Sequence, residues 1–447
     1  MVGRERVLEL LERALSASPG DQTEVVFIGH NQNLTRFAEN QIHQNVAEKN
    51  ARLSVRVVVG KKVGVAGTNS LDEEAVRSAV ARATEIARWQ RDNPRFVSLP
   101  APVPIAGQSE AFYQSTADCS PEERAGMVGM LINRCRREGL RGAGALATGT
   151  AELAVANSLG VRAYTAGTTA SFSTVVMSED SSGYADFSSS DIGRFDPEAA
   201  TERAVAKCLN SRSPVAVEPG EYTVILEEPA VADVLFFLGY LGFGAQALQE
   251  GRSFLSGQMG QRVFGENISI WDDGNDPAGM PIPFDFEGIP KQRVILVEQG
   301  VAKGVVYDSL TANQESGRSS TGHALPAPNI FGPIPINLFM APGNSSLEEM
   351  VAGSERGILV TRFHYTNPVH PVKAILTGMT RDGTFLIEDG RITKGLKNLR
   401  FTESMLKALN NVEALTAQRK FQGGYFGGSL VPAIKVSKFT FTGATQF

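Results

Sequence analysis

Histidine is the side chain best suited to hold a metal ion or to move a proton near neutral pH. The chain has five, at His30, His43, His323, His364 and His370. A zinc peptidase motif places two histidines about one helical turn apart, with a glutamate beside the first, so that both imidazoles face one metal ion. No two histidines here are three or four residues apart, and neither HExxH nor HExxxH occurs. The sequence therefore predicts no local zinc motif.

The closest pair of histidines is His364 and His370. Pro368 and Pro371 lie within the same short segment and predict an irregular loop. Three interpretations remain open for the pair: polar loop residues, a peptide-binding surface, or a metal site shared with His323. The segment 380–385 is typical of a strand followed by a turn. Within it, Arg381 and Asp382 either form a structural ion pair or face a substrate. We predict no catalytic residue and no metal ligand, and the candidate cleft residues are His364, Asn367, His370, Arg381 and Asp382.

Other reactive motifs are also missing from the sequence. It has no GxSxG nucleophile elbow and no GxxxxGK[ST] phosphate loop. Its three cysteines, Cys119, Cys135 and Cys208, are widely spaced and suggest neither a disulfide framework nor a metal knuckle. The glycine-rich run 422–429 lacks the lysine of a nucleotide-binding loop. We predict that this run packs closely or forms the wall of a cleft.

Composition limits the classes of function. A chain of 447 residues is long enough for two or three domains. Its net charge of −5 argues against nucleic-acid binding as the main role, because such proteins normally carry a basic excess. No run of roughly 18 uncharged apolar residues predicts a membrane span. The N-terminal segment predicts an amphipathic helix and not a signal sequence. We therefore expect a cytoplasmic protein.

The pattern of elements repeats in the first half of the chain. Helices are predicted at 4–17, from Ser70 with a capping box to Glu73, and at 196–209. Another helix is predicted from Ser120, with a capping-box glutamate at Glu123, to about Glu138, and Gly139 ends it. Strands are predicted around 23–28, 33–47, 51–59, 62–68 and through 143–189, with a hairpin turn at 157–160. The order of helix, hairpin strands and capped helix occurs twice. It predicts duplicated units, although capping chemistry common to two unrelated units is the alternative.

The second half has many short strands, loops rich in glycine and proline, and few helices. Strands are predicted at 221–227, 293–298, 301–307, 357–362, 373–379, 384–388 and 433–442, and helices at 229–240, 308–315, 346–353 and 402–410. The fold class predicted for the whole chain is α+β. Duplicated N-terminal α/β units with mixed sheets precede a large, mostly antiparallel C-terminal domain. The predicted domains are 1–98, 99–214 and 215–447.

Several segments together resemble one protein family. They are 35–40, 283–288, 297–301, 380–385 and 398–401, and their order and spacing span nearly the whole chain. They are similar to the TldD/PmbA family, once called the modulators of DNA gyrase. The resemblance implies a C-terminal domain like that of a peptidase. In the catalytic branch, that domain carries HExxxH on an early helix and a later cysteine as the third zinc ligand.

The early helix falls near 229–243 in this chain, and it is apolar nearly all round. Its degenerate zinc positions are Phe237, Leu238 and Gly242, and no cysteine follows Cys208. The resemblance is therefore to the PmbA, or TldE, branch. It implies a non-catalytic subunit that acts on peptides beside a TldD-like partner, with zinc in the partner and none in this chain. A homodimer is possible when the chain is alone. The alternatives are a self-sufficient hydrolase with an unrecognised site and a regulatory binding protein of the gyrase-modulator type.

Overall fold

Two β-sheets organise the chain in the computed structural model, which describes residues 1–105, 111–424 and 427–444. The N-terminal part contains helices α1 (Arg4–Ser16), α2 (Glu73–Trp89), α3 (Gln114–Ala117), α4 (Pro121–Glu138) and α5 (Pro197–Asn210). Its strands are β1 (Gln22–Ala38), β2 (Gln41–Val59), β3 (Lys62–Thr68), β4 (Arg141–Asn157), β5 (Arg162–Met177) and β6 (Ser182–Ser189).

The six N-terminal strands form one sheet in the order β3-β2-β1-β4-β5-β6. Each half of the sheet runs outward from the central pair β1–β4, and each half ends in a strand that is followed by a helix. This equal strand order is what the duplication predicts. All pairings in the sheet are antiparallel, and parallel pairs occur only in the C-terminal sheet within the described residues. The predicted domains 1–98 and 99–214 thus share a sheet, and their boundaries stay a prediction.

The first hairpin differs from the sequence-based prediction. We predicted strands at 23–28, 33–47 and 51–59, but β1 and β2 are two long strands joined at Glu39 and Asn40. Both turn residues have positive φ, 48° and 57°, a conformation that asparagine tolerates better than most residues. Every residue from 41 to 50 is exposed. Residues 41–50 have the composition of a loop. They nevertheless form part of a strand, because they pair with β1.

Helix boundaries follow the capping chemistry, with one correction. Ser120 and Glu123 form the predicted capping box of α4, and Gly139 ends the helix with a φ of 65°. Helix α2 is instead capped by Asp72, whose carboxylate accepts a hydrogen bond of 2.8 Å from the backbone nitrogen of Ala75. Ser70 was predicted as the cap, but its hydroxyl donates to Asp72. An ionised carboxylate is a stronger hydrogen-bond acceptor than a hydroxyl, which accounts for Asp72, and not Ser70, capping the helix.

The C-terminal half contains helices α6 (Glu228–Gly242), α7 (Ala245–Gln249), α8 (Ser309–Ala312), α9 (Leu347–Ala352) and α10 (Met405–Asn410). Its strands are β7 (Gly220–Leu226), β8 (Ile270–Asp272), β9 (Val294–Glu298), β10 (Val301–Ala302), β11 (Asn337–Met340), β12 (Arg356–His370), β13 (Ile375–Glu388), β14 (Arg391–Gly395), β15 (Leu399–Ser404), β16 (Val412–Gly424) and β17 (Gly427–Ala444). These eleven strands form one sheet, in which β17 pairs with β7, β11, β15 and β16. The predicted α+β class is confirmed.

Helix α6 lies in the largest hydrophobic core of the described residues. Leu235 and Leu238 are fully buried there, and Val234 is nearly so. Burying a large apolar side chain contributes roughly 1.5–3 kcal/mol, so this helix anchors the C-terminal half. No helix in the described ranges combines the length and the apolar character needed to cross a membrane.

Candidate functional site

A cavity of about 320 Å³ opens where four elements of the two halves meet. Its walls come from β6 of the N-terminal sheet and from α6, β12 and the β16–β17 hairpin of the C-terminal half. The segment that leads into β11 closes a further side. Cavities where domains meet are common ligand sites, so this is the candidate functional site.

The face that α6 turns to the cavity carries Ala232, Asp233 and Phe236. These residues follow the helical spacing, which places positions i, i+1 and i+4 on one side. The opposite side enters the core. Asp233 is the only charged residue in the segment 229–243, and that isolation was a signal that our sequence analysis did not use.

Asp233 sits in an unusual electrostatic environment. Its Oδ2 accepts a hydrogen bond from the Thr366 hydroxyl on β12. Within the described part of the chain, no Lys, Arg or His nitrogen forms an ion pair with it. Burial raises the pKa of this carboxyl, and the Thr366 hydrogen bond opposes that rise only in part. The cavity wall therefore carries a carboxyl that forms no ion pair with any cation among the described residues.

Arg362 lines the cavity too, but its charge is already compensated. Its Nε donates to Asp382 Oδ2 over 2.9 Å, and its guanidinium lies 4.2 Å from the ring centroid of Tyr184. The Ser182 hydroxyl donates to Asp382 Oδ1 over 2.8 Å. Because Ser182 and Tyr184 belong to β6, this cluster connects the two sheets. Arg381, the predicted partner of Asp382, is 3.9 Å away and exposed, so the main ion pair differs from the predicted one.

Two ion pairs, each with a buried glutamate, hold the start of α6 against neighbouring elements. Lys207 of α5 pairs with Glu227, and Lys420 of β16 pairs with Glu228 at 3.0 Å. Nearby, burial raises the pKa of Asp186 on β6 to about 6, although Lys420 and Lys207 lower it. These two ion pairs fix the position of the helix that carries Asp233.

The predicted histidine loop is a strand. Residues 362–370 belong to β12, and bulges follow Val360, His364 and Pro368 in its pairing with β13. Pro368 is tolerated within β12 because this end of the strand is exposed and irregularly paired, and Pro371 follows the end of the strand. His364 is half-buried, and burial together with Arg381 and Arg362 lowers its pKa.

None of the five predicted cleft residues is among the described residues that line the cavity: His364, Asn367, His370, Arg381 and Asp382 all lie outside its wall. Asn367 and His370 are exposed on β12. His323 is buried elsewhere, with its Nε2 2.7 Å from Asp272 Oδ1 and its Nδ1 2.9 Å from Thr321 Oγ1. Because both ring nitrogens are engaged, His323 offers no free ligand atom to a site shared with His364. The described residues contain no group of three or more His, Cys, Asp or Glu arranged to hold a metal ion.

The glycine-rich run forms part of the cavity wall, as predicted. A Cβ built on Gly427 would lie 2.0 Å from the Ile336 carbonyl oxygen, and one on Gly428 would lie 2.1 Å from Phe421 Cζ. Glycine is therefore required for the hairpin to pack this closely. Tyr425 and Phe426, at the centre of the run, lie outside the described residues.

Sequence models of one family match three stretches of the chain. PmbA/TldA metallopeptidase domain 1 matches residues 23–87, the central domain matches 118–212, and the C-terminal domain matches 219–443. The chain belongs to the PmbA/TldD metallopeptidase family. The family resemblance in the sequence is thereby confirmed.

Relatives within the PmbA/TldD family are distant. An uncharacterized protein of Methanocaldococcus jannaschii is 29% identical over 61% of this chain and 63% of its own length. A Haemophilus influenzae protein named a metalloprotease TldD homolog is 24% identical over 50% of the chain and 46% of its own length. The matched region thus spans 63% of the length of the first relative and 46% of the length of the second. The crystal structure of TldE from Thermococcus kodakarensis superposes with a TM-score of 0.88 at 22% identity, over 98% of this chain and all of that one, which shows the same fold.

The residues predicted to stand at degenerate zinc positions are not among the described residues that line the cavity. Leu238 is fully buried in the core. A Cβ built on Gly242 would lie 2.2 Å from Phe254 Cε1, and Phe254 is itself buried. Phe237 is half-buried, packs on the core and lies 5.3 Å from the ring of Phe236. The space that a metal-binding side chain would need at residue 242 is filled by an aromatic ring.

Proposed function

We propose that this chain is a non-catalytic subunit of a two-protein zinc peptidase and that it contributes a wall of the chamber in which peptides are held. The observation that carries this proposal is the packing of Phe254 against Gly242. The helix on which the resemblance places HExxxH has here no histidine, and it has no room for a side chain at residue 242. A zinc site needs three or four imidazole, thiolate or carboxylate ligands around one point, and the described residues bring no such group together.

The partner in this proposal is a TldD-like subunit that supplies the zinc, and the substrates are unfolded or flexible peptides. Exposed apolar side chains near α6 support a contact with another subunit. Tyr240 and Phe331 lie with their ring centroids 5.8 Å apart, and Ile330 beside them is 78% exposed. Apolar clusters of this kind mark interaction surfaces. In the partner's absence, the same surface is available to a second copy of this chain.

Cytoplasmic location is part of the same proposal. The chain has three cysteines, and all three are buried as free thiols. Unpaired cysteines are usual where the environment is reducing. Burial raises the pKa of the Cys135 thiol to about 11, so it stays protonated and unreactive near neutral pH.

We expect the purified chain to bind no stoichiometric zinc. The reason is that the described residues bring together no metal-ligand group and that both nitrogens of His323 are engaged. Elemental analysis after dialysis against a weak chelator measures the metal content. A value near one zinc per chain that falls when His364 and His370 are replaced by alanine would contradict the prediction.

A further inference from the structure

The Asp233 carboxyl and the cavity around it fit one class of ligand. Asp233, whose hydrogen-bond partner is Thr366, shares the cavity wall with the apolar or aromatic side chains of Phe236, Ile334 and Leu338. Arg362 is the one cationic side chain on the wall among the described residues, and its charge is paired with Asp382. The unpaired carboxylate of Asp233 would therefore repel an anionic ligand. A neutral apolar ligand would leave the negative charge of Asp233 without a counter-ion.

A cation placed at Asp233 removes the cost of holding this carboxylate away from water. A charged group that is buried without a partner is unfavourable, and an ammonium within hydrogen-bond distance supplies both charge and donors. The ring of Phe236 faces the same cavity and attracts a cation through its π electrons. The apolar wall accommodates a carbon chain or side chain attached to the ammonium.

We propose that this cavity binds a primary ammonium group joined to an apolar portion, with Asp233 as its counter-ion. At a peptide, that group is either the N-terminal amine or the side chain of a lysine. The choice of a peptide as the source rests on the proposed function, whereas the ammonium site itself rests on the cavity. With a volume of about 320 Å³, the cavity is of a size to hold a single residue and excludes a folded domain.

Isothermal titration of the purified chain at pH 7.5 tests the proposal with three unfolded peptides of equal length. The first has a free N-terminal leucine and no lysine, the second is its N-acetylated form, and the third is acetylated and carries one internal lysine. We expect the first or the third to bind, and the acetylated peptide without lysine to bind about 10- to 100-fold more weakly, because a hydrogen bond to a charged group is lost. The peptide that retains binding identifies the source of the ammonium.

Asp233→Asn is expected to remove the same 10- to 100-fold preference for the free amine. The variant should fold, because burial raises the pKa of Asp233 above its unfolded value, so ionisation destabilises the folded state as pH rises. A neutral amide avoids this loss, and the variant should therefore melt no lower than the wild type at pH 7.5. Glu85→Gln, on the exposed face of α2, is the matched control and should leave binding unchanged.

Equal binding of all three peptides, equal binding by the Asp233→Asn variant, or no binding up to millimolar concentration would each overturn the ammonium site. None of these results depends on zinc or on a partner subunit. A chain that binds amines but never assembles with a zinc-bearing relative would keep this inference and remove the proposed function. Assembly without amine binding would do the reverse.

Discussion

Replacing Arg56 by methionine is expected to destabilise the folded protein by about 3–5 kcal/mol at pH 7.5, the usual cost of removing one partner from a buried ion pair. Arg56 Nη2 lies 2.6 Å from Glu24 Oε2 and 3.2 Å from Glu287 Oε1. Glu24 is on β1, whereas Glu287 belongs to a loop of the C-terminal half. The guanidinium thus neutralises two buried carboxylates from different parts of the chain, and methionine would leave both uncompensated.

The destabilisation caused by Arg56→Met should shrink as pH falls. Burial raises the pKa of Glu24 to about 7 even though Arg56 lowers it, and Glu287 raises it further. Without the arginine, this pKa rises again, so the folded variant takes up protons more readily than the unfolded chain. Its stability is retained at low pH and lost as pH rises through the folded-state pKa. Urea midpoints at pH 5.5 and 7.5 measure the difference.

Arg52→Met is the matched control for Arg56→Met. Arg52 lies four residues earlier on β2, is exposed, and forms no ion pair within the described residues. Its replacement should change stability by less than about 0.5 kcal/mol. If Arg56→Met were no more destabilising than Arg52→Met at pH 7.5, the buried cluster would not be the link between the two halves that the structure indicates.

Restoring the zinc motif on α6 is expected to damage the fold without creating a metal site. The triple variant Phe237→His, Leu238→Glu, Gly242→His recreates HExxxH in the sequence. Leu238 is fully buried, so a glutamate there places an unpaired carboxylate in the core, and any side chain at Gly242 meets the ring of Phe254 at 2.2 Å. Together these changes should cost about 4 kcal/mol or more.

Thermal unfolding and elemental analysis of the triple variant test this expectation. Phe237→His alone is the control, and it should be tolerated better because Phe237 is only half-buried. A triple variant that melted near the wild-type temperature and held one zinc per chain would show that the ligand positions are accessible. The account of α6 as a structural helix would then be wrong.

Local chemistry made several elements predictable from the sequence. The capping box at Ser120, the left-handed Gly139 and the turn at 157–160 depend on residues close in sequence, and each is where the pattern predicts. The burial of α6 was also predictable, since a helix that is apolar nearly all round must be covered on most sides. Such features require no knowledge of the partner elements.

The cavity was harder to predict because it depends on contacts distant in sequence. An apolar helix gives no indication of which side faces a cavity, so Asp233 and Phe236 were missed as residues of the cavity wall. The pair Arg362–Asp382 forms across adjacent strands β12 and β13, so it depends on the pairing of the two strands and not on neighbours in sequence. The polar residues at 41–50 and the proline and polar residues at 362–370 are typical of loops. Pairing with neighbouring strands outweighs this local conformational preference, and both segments are strands.

Reconstitution with a zinc-bearing TldD-like relative from the same organism tests the central claim most directly. Each protein is purified alone and then mixed at equal concentration, and hydrolysis of a fluorescent unfolded peptide is followed with and without chelator. We predict no hydrolysis by this chain alone, formation of a mixed complex, and hydrolysis by the mixture that the chelator abolishes. Hydrolysis by this chain alone, or a mixture no more active than the relative by itself, would contradict the assignment as a non-catalytic subunit.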